Sequence, residues 1–549
     1  MRKLSLLLLF ILTLHCSFAG VSKVDCTVEI DSSTFIIDGS AYSPGDIICL
    51  LPGNKDYLLF KNFQGTSELP ITIINQGGAV IINTEHFYGV KFDSCKHIIF
   101  SGGGEPGLQY GIQVQRVAQG AGLSIDKLST NIEIEFIEIS FTAIGGIYAK
   151  TDPYQGDCND LITRDNFTMY NLSIHDCYLH DITDEGMYIG SSKYTGQTVY
   201  ECNDTIVLPH VIEGVEVYNN IVENTGWDAI QVSSSPSNCN IYGNIIRNDS
   251  YAEEYGQMSG ILIGGGSKCD CYNNMIFDGK GDGIDVFGLG NMMIYNNLIV
   301  RAGRTFEPGD PSQFKHGIYV GEIVTTPNAN FKLYNNTIVS PKSNGIKYAN
   351  NEATMGYIIN NLITDPGVLT NEGDPYYINI VVDTQYVEVA RNYKAADNIN
   401  VKFIDFFGNN FDLKPDSKAV NYGISLLDEG ISFDIDYRSR PFHIYFDAGA
   451  YECHDPFADI IDVSDDIGTP YPNPAKDHIS IPINPNINKD FILRIISLNG
   501  KVVFEETFMI NQSMNGKITI AIDNIKSGNY IISMSNKNHS INKPIIIAN

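Results

Sequence analysis

Between residues 170 and 365 the chain repeats one short pattern of apolar and polar positions. Val217-Tyr218-Asn219-Asn220-Ile221-Val222 is echoed by Ile241-Tyr242-Gly243-Asn244-Ile245-Ile246 and Cys271-Tyr272-Asn273-Asn274-Met275-Ile276. Ile294-Tyr295-Asn296-Asn297-Leu298-Ile299 and Leu333-Tyr334-Asn335-Asn336-Thr337-Ile338 follow, with variants beginning at Ile174 and Ile358. After each comes a second alternating segment, such as Ala229-Ile230-Gln231-Val232, Gly260-Ile261-Leu262-Ile263 or Gly283-Ile284-Asp285-Val286. Alternation over a few residues predicts short strands, and nothing in these segments carries a helical period. A repeat of this length predicts a solenoid, propeller or array. Asn-Gly hairpin signals are scarce between the strands, so stacked coils with parallel, in-register strands fit better than antiparallel blades.

Stacking places equivalent residues about 4.8 Å apart. Val217, Ile241, Cys271, Ile294 and Leu333 then form a core column. Asn220, Asn244, Asn274, Asn297, Asn336 and Asn361 form a second file, whose amides can bond along the axis. The tyrosines of the repeat form a third, suited to ring packing or to a platform for sugar rings. These coils resemble the right-handed parallel β-helix repeats of pectin-lyase-like proteins over roughly residues 30–452. The segments Gly45–Leu50 and Pro70–Asn75 resemble opening coils, and Phe411–Leu413 to Asp447–Glu452 resembles the closing, capping segment of such proteins. The expected class is all-β: a right-handed parallel β-helix solenoid followed by a small C-terminal β-sandwich.

That sandwich is read from strand-like segments after Tyr471-Pro472-Asn473-Pro474-Ala475, with turns at Leu498-Asn499-Gly500-Lys501 and Ser527-Gly528-Asn529-Tyr530. These motifs, with the terminal Lys543-Pro544-Ile545-Ile546-Ile547, resemble the C-terminal sorting domain of the type IX secretion system. The resemblance implies that the secretion machinery is a partner and that the chain reaches the outer cell surface or the medium. At the other end, Arg2 and Lys3 precede the apolar run Leu4–Leu14 and the small-x-small site Ser17-Phe18-Ala19, which predicts a signal peptide. A lipoprotein signal at Cys16 is the alternative. The expected division is a signal peptide at 1–19, the β-helix with its cap at 20–453, a linker at 454–468 and the sorting domain at 469–549. No apolar stretch of the mature chain is long enough to span a bilayer.

The formal net charge of -28 excludes a basic footprint for nucleic acid. It also repels acidic polysaccharides unless cations or a local basic cluster intervene. Ten of the eleven cysteines follow Ala19, and export permits disulfides. Cys158 and Cys202 lie in loops and are candidates to pair, whereas Cys271 occupies an inward position and reads as a buried thiol.

Counting ten residues from the repeat tyrosines aligns Asp228, Asp282 and Asn344 with Glu185 of the variant coil, and two coils with insertions add Ser259 and His316. Three positions further on, Tyr188, Gln231, Leu262, Asp285, Tyr319 and Lys347 form a parallel column. Their apolar neighbours point inward, so this column is expected to face outward. Tyr148 and Lys150 lie near its start. Insertions at about 249–258 and 302–314 precede the strip and are expected to wall a groove. Asp228, Asp282, His316 and Lys347 are the candidate catalytic groups. Asp228 and Asp282 stand two coils apart, about 10 Å, near the upper end for an inverting glycosidase pair. Alternatively, Asp282 and Asp285, with Asp228, would hold calcium, and His316 or Lys347 would abstract a proton beside a uronate carboxylate. Tyr188, Trp227, Gln231 and Tyr319 are the candidate sugar contacts. No other cofactor is indicated. Acids beside glycine also serve as plain turn residues. The motif sets of polygalacturonases (Asp-Asp with Gly-His-Gly) and of the epimerases (Asp-Pro-His) are absent from the strip. The sequence therefore supports a carbohydrate-active enzyme, lyase or glycoside hydrolase, beside a non-catalytic glycan-binding adhesin or structural solenoid.

Overall fold

The computed structural model describes residues 25–307, 314–367, 377–442, 445–454, 470–483, 489–498, 500–510, 517–535 and 540–548. The signal peptide assigned to 1–19 lies outside them, as does the linker apart from His454. The chain winds as a right-handed parallel β-helix with three sheets of 13, 12 and 12 strands. One coil shows the plan. Val211–Tyr218 lies in the first sheet, Ile221–Thr225 in the second and Ile230–Val232 in the third.

The core column is observed as expected: Val217, Ile241, Cys271, Ile294 and Leu333 are successive register partners, and each is at most 1% exposed. Burial of such a side chain contributes about 1.5–3 kcal/mol, so each added coil brings its own share of the stability.

The Asn-Asn pairs have a division of labour. The first member bends the chain between first and second sheets with a positive φ: 55° at Asn219, 55° at Asn273, 53° at Asn296 and 51° at Asn335. Asparagine tolerates this left-handed region better than most residues, and Gly243 takes the same turn at φ 66°. The second member is fully buried and ladders. Asn220 Nδ2 donates to Asn244 Oδ1 (3.0 Å), Asn244 to Asn274 (2.9 Å), Asn274 to Asn297 (3.0 Å) and Asn297 to Asn336 (2.9 Å). The file continues through Asn361 to Asn392. Asn274 Nδ2 also donates to Ile241 O, and its Oδ1 accepts from Asn244 N. Asn274→Ala strands these buried groups at about 1–3 kcal/mol each. It is therefore expected to lower unfolding free energy by roughly 2–5 kcal/mol, read as a drop in the urea midpoint; an unchanged midpoint would show the ladder to be decorative.

The tyrosine column is a packing element. His175, Tyr218, Tyr242, Tyr272 and Tyr295 stack with ring centroids 4.5–5.0 Å apart. Tyr242, Tyr272 and Tyr334 are buried. Their cover is the chain after Ala395, and here the structure departs from the expectation. The parallel coils end at Tyr393–Ala395, not near residue 452. Residues 396–454 instead run back along the outside of the coils. Phe403, Phe411, Ala448 and Ala450 pack on Leu298, Val300, Val339 and Leu362, and Leu426, Ile431 and Phe446 pack on Tyr334 and Ile359. The repeat's own turns receive this segment: Asn296 Nδ2 donates to Phe433 O, Asn335 Nδ2 to Asp447 O, and Gly449 N to Asn360 O. A buried Arg440–Glu452 pair at 3.0 Å holds it together.

Cys158 and Cys202 are bonded as expected, and Cys26–Cys49 and Cys239–Cys269 are further disulfides. Cys271 is a buried free thiol. The tail forms two antiparallel sheets, of two and four strands, around Ile479, Ile481, Phe491, Leu493, Ile495 and Ile532. Asn542 Nδ2 donates to Tyr437 O of the cap segment at 2.7 Å.

Candidate active site

The third sheet brings the two predicted columns together. Tyr148, Tyr188, Gln231, Leu262, Asp285, Tyr319 and Lys347 are successive register partners. Ser259 pairs with Asp282, and backbone bonds from Gly186 to Asp228, Ala229 to Ser259, Gly283 to His316 and Gly317 to Asn344 align the other column. The glycines that follow this column are required by the stacking: a Cβ on Gly283 would sit 2.5 Å from Gly317 O.

The two columns differ in exposure. Most of the outer one is half-buried and reachable, but Gln231 is only 1% exposed. The inner one is closed throughout: Glu185, Asp228, Ser259, Asp282, His316 and Asn344 are all at most 4% exposed. These acids beside glycine are therefore buried and not solvent-facing turn residues. The segments preceding the strip supply groups that lie against it.

Lys315 and Asp249 are those groups; both stand at the edges of the insertions, outside the two columns that the repeat count aligns. Lys315 Nζ lies 3.1 Å from Asp282 Oδ2, the two side chains being 12% and 6% exposed, and Asp282 also accepts the His316 N–H. Lys315 is further attracted by Asp285 and Asp228. Asp249 is 1% exposed, accepts from Ser250 Oγ through one oxygen, and has no partner for Oδ2. Burial pushes its carboxyl up to about 6. Burial likewise pushes Asp228 up to about 8, against the Ser259 hydroxyl that donates to its Oδ1 at 2.7 Å. Asp285 is raised well above the carboxylate range by burial and then by the Asp282 charge, and its Oδ1 has no partner. Acids raised to different extents thus share one site.

The remaining candidates fall into place around it. His316 is pushed down to about 4 by burial, so the imidazole is neutral, and its Nδ1 accepts from Asn344 N. Lys347 Nζ lies 5.0 Å above the Tyr319 ring, whose centroid is 5.9 Å from that of His316. Tyr188 belongs to a separate end, three coils from Asp285. It packs on Tyr148, carries Lys150 over its ring and donates to Ser192, while Tyr148 donates to Glu185. Trp227 is half-buried in the preceding turn, where its carbonyl accepts from Thr225 Oγ1 and Ser250 N.

Among the described residues, the three-membered set with ligand atoms within 4.8 Å of one another is Glu133, Glu135 and His175, on the first sheet. Asp228, Asp282 and Asp285 do not form such a set, and the Lys315 ammonium already supplies positive charge among them. The calcium arrangement expected from the sequence does not fit this geometry.

Residues 206–393 match the model of the right handed beta helix region, and residues 469–548 match that of the secretion system C-terminal sorting domain. The chain is a right-handed β-helix protein with a type IX secretion sorting domain. It is exported through that system to the cell surface or beyond. No described helix is long and apolar enough to cross a membrane. Among solved structures this β-helix protein is similar to the pectate lyase Pel9A (16% identity, 76% of this chain and 90% of that one, TM-score 0.38). It is similar also to a PL6 family alginate lyase, AlyGC (14%, 71% and 56%, 0.39), and to the A-module of Azotobacter vinelandii mannuronan C-5 epimerase AlgE6 (14%, 64% and 91%, 0.33). All three TM-scores are below 0.5, and no residue role is carried over from them. The comparison with curated proteins finds no match.

Proposed function

We propose that this exported β-helix cleaves an extracellular polysaccharide by glycoside hydrolysis on its third sheet. The observation that carries the reading is a cluster of acids in unlike environments: Asp282 lies 3.1 Å from the Lys315 ammonium, whereas burial raises the carboxyls of Asp228, Asp249 and Asp285. Asp285, whose carboxyl burial and the Asp282 charge raise well above the ordinary range, is the most exposed acid of the two columns and is placed to protonate a leaving oxygen. Asp249, ionised above about pH 6, supplies the carboxylate side, and Asp282 is held beside it by Lys315. Environments that push neighbouring pKa values apart are what acid–base cleavage of a glycosidic bond requires. Tyr319, Lys347 and Leu262 flank Asp285 along the axis and offer the sugar a reachable strip. The same acids disfavour a uronate lyase, because Lys315 is already committed to Asp282.

The test is a panel of neutral and uronic polysaccharides. New reducing ends without ultraviolet-absorbing unsaturated ends support hydrolysis; unsaturated ends from a uronate would replace it with a lyase reading using Lys347 as base. If no bond is cut while a glycan binds and Trp227→Ala weakens that binding, the protein is an adhesin.

The division at residue 469 belongs to the same proposal. Deleting 469–549 is expected to leave the solenoid's circular dichroism and melting intact while the protein accumulates inside the cell envelope. Surface delivery of the truncated chain would refute the assignment of sorting to the tail.

A further inference from the structure

A second face of the solenoid carries a groove that the third-sheet chemistry does not use. It has a volume of about 540 Å³ and crosses the first sheet where its strands begin. Successive coils place Pro70, His97, Asn131, Asn171, Gly214 and Asn238 on its edge. The last five all have positive φ, from 48° to 85°, and each lies within the first half of a first-sheet strand. On the groove floor Glu133, Ser173 and Glu216 are successive register partners. All three are half-buried.

We propose that this groove binds a neutral oligosaccharide, with the Glu133 and Glu216 carboxylates and the Ser173 hydroxyl between them bonding sugar hydroxyls. Three observations support this occupant. Carboxylate and hydroxyl acceptors and donors recur once per coil, about every 4.8 Å, a spacing suited to a polymer that presents similar hydroxyls on each unit. Edge amides supply donors and acceptors, and Asn171 Nδ2 already bonds Asn131 Oδ1 at 2.8 Å, which fixes them in place before a ligand arrives. No described lining residue is Lys or Arg, and two carboxylates on the floor of an acidic protein repel uronates and sulfated sugars. A divalent cation at the adjoining Glu133, Glu135 and His175 is the competing occupant. His175 Nε2 lies 3.1 Å from Glu133 Oε1 and Nδ1 lies 2.8 Å from Asp176 Oδ2, so a cation would have to displace an imidazolium that these acids hold.

The inference stands on a different face from the proposed hydrolytic site, and the two fail separately. The experiment is calorimetric titration of the full chain, as wild type and as Asp285→Asn, with cellohexaose, xylohexaose, mannohexaose and a matching oligogalacturonate, and separately with zinc and calcium chloride. One neutral hexasaccharide is expected to bind both forms alike. Glu216→Gln and Ser173→Trp are each expected to weaken it at least tenfold. Glu216 accepts from Asn240 Nδ2, so its variant is checked by melting, and Ser173→Trp, a block on an outward position, decides the matter if Glu216→Gln unfolds. Binding of the oligogalacturonate alone, binding of metal alone, no binding, or neutral-sugar affinity that survives Ser173→Trp would each overturn the proposal.

Discussion

Lys315→Met is expected to cost about 3–5 kcal/mol of stability, the usual penalty for removing one partner of a buried ion pair. It leaves Asp282 without its cationic partner, 4% exposed and near Asp285 and other acids. Asp282→Asn is expected to be nearly as costly, because it strands the Lys315 ammonium beneath the Phe306 ring, 5.9 Å away. The double variant removes both charges and should recover most of the loss. That recovery is the diagnostic result, read from chemical denaturation of all four proteins in one buffer. Additive losses would mean that the two side chains stabilise the fold separately and that no buried pair holds the insertion against the sheet. Salt should matter little, since screening hardly reaches a pair this enclosed.

The second large effect is on turnover. Asp285→Asn is expected to lower kcat/KM on the hydrolysed glycan by on the order of 100-fold or more, the usual cost of losing a general acid. Stability should hold or rise, because the substitution removes a carboxyl whose ionisation burial opposes. The pH profile follows from the two neighbours. Asp249 protonates as pH falls through about 6, so the acid limb lies there. Asp285 is raised well above the ordinary carboxylate range by burial and then by the Asp282 charge, so its deprotonation sets the alkaline limb, at higher pH than an ordinary carboxylic acid would. Asp249→Asn should erase the acid limb. An Asp285→Asn enzyme with full activity, or a wild-type rate that rises steadily below pH 5, would remove Asp285 from the mechanism.

Much of this architecture is legible in the amino-acid sequence, and the reason is periodicity. A solenoid writes its register into the chain, so Val217, Ile241 and Cys271 align by inspection, and so do Asp228, Ser259 and Asp282. The same reasoning fails where the period lapses. Lys315 and Asp249 stand at the edges of insertions, outside the positions counted from the repeat tyrosines. The inner column's burial is also out of reach, because alternation tells which way a side chain leaves the sheet but not what lies over it. The course of residues 396–454 escapes for a related reason: its apolar residues are irregularly spaced, since they fill gaps on a surface made by other coils. The first-sheet groove has no apolar signature either. Its signal is a file of left-handed residues in which His97, Asn131 and Asn171 share a backbone shape and not a side-chain class.

The returning segment has a consequence for how such a chain can change over generations. Its anchors are the turns at Asn296, Asn335 and Asn360, three rungs at fixed spacing. Adding or losing a whole coil between residues 277 and 362 would move the later anchors by one rise, about 4.8 Å, and no longer meet the segment. Among the described residues, the coils nearer the start carry no such hydrogen-bonded anchor, and a duplication there would lengthen the rod. The molecule is thus modular at one end and locked at the other. Homologues are expected to differ in coil number ahead of Tyr272 and to keep a constant count from there to Leu362.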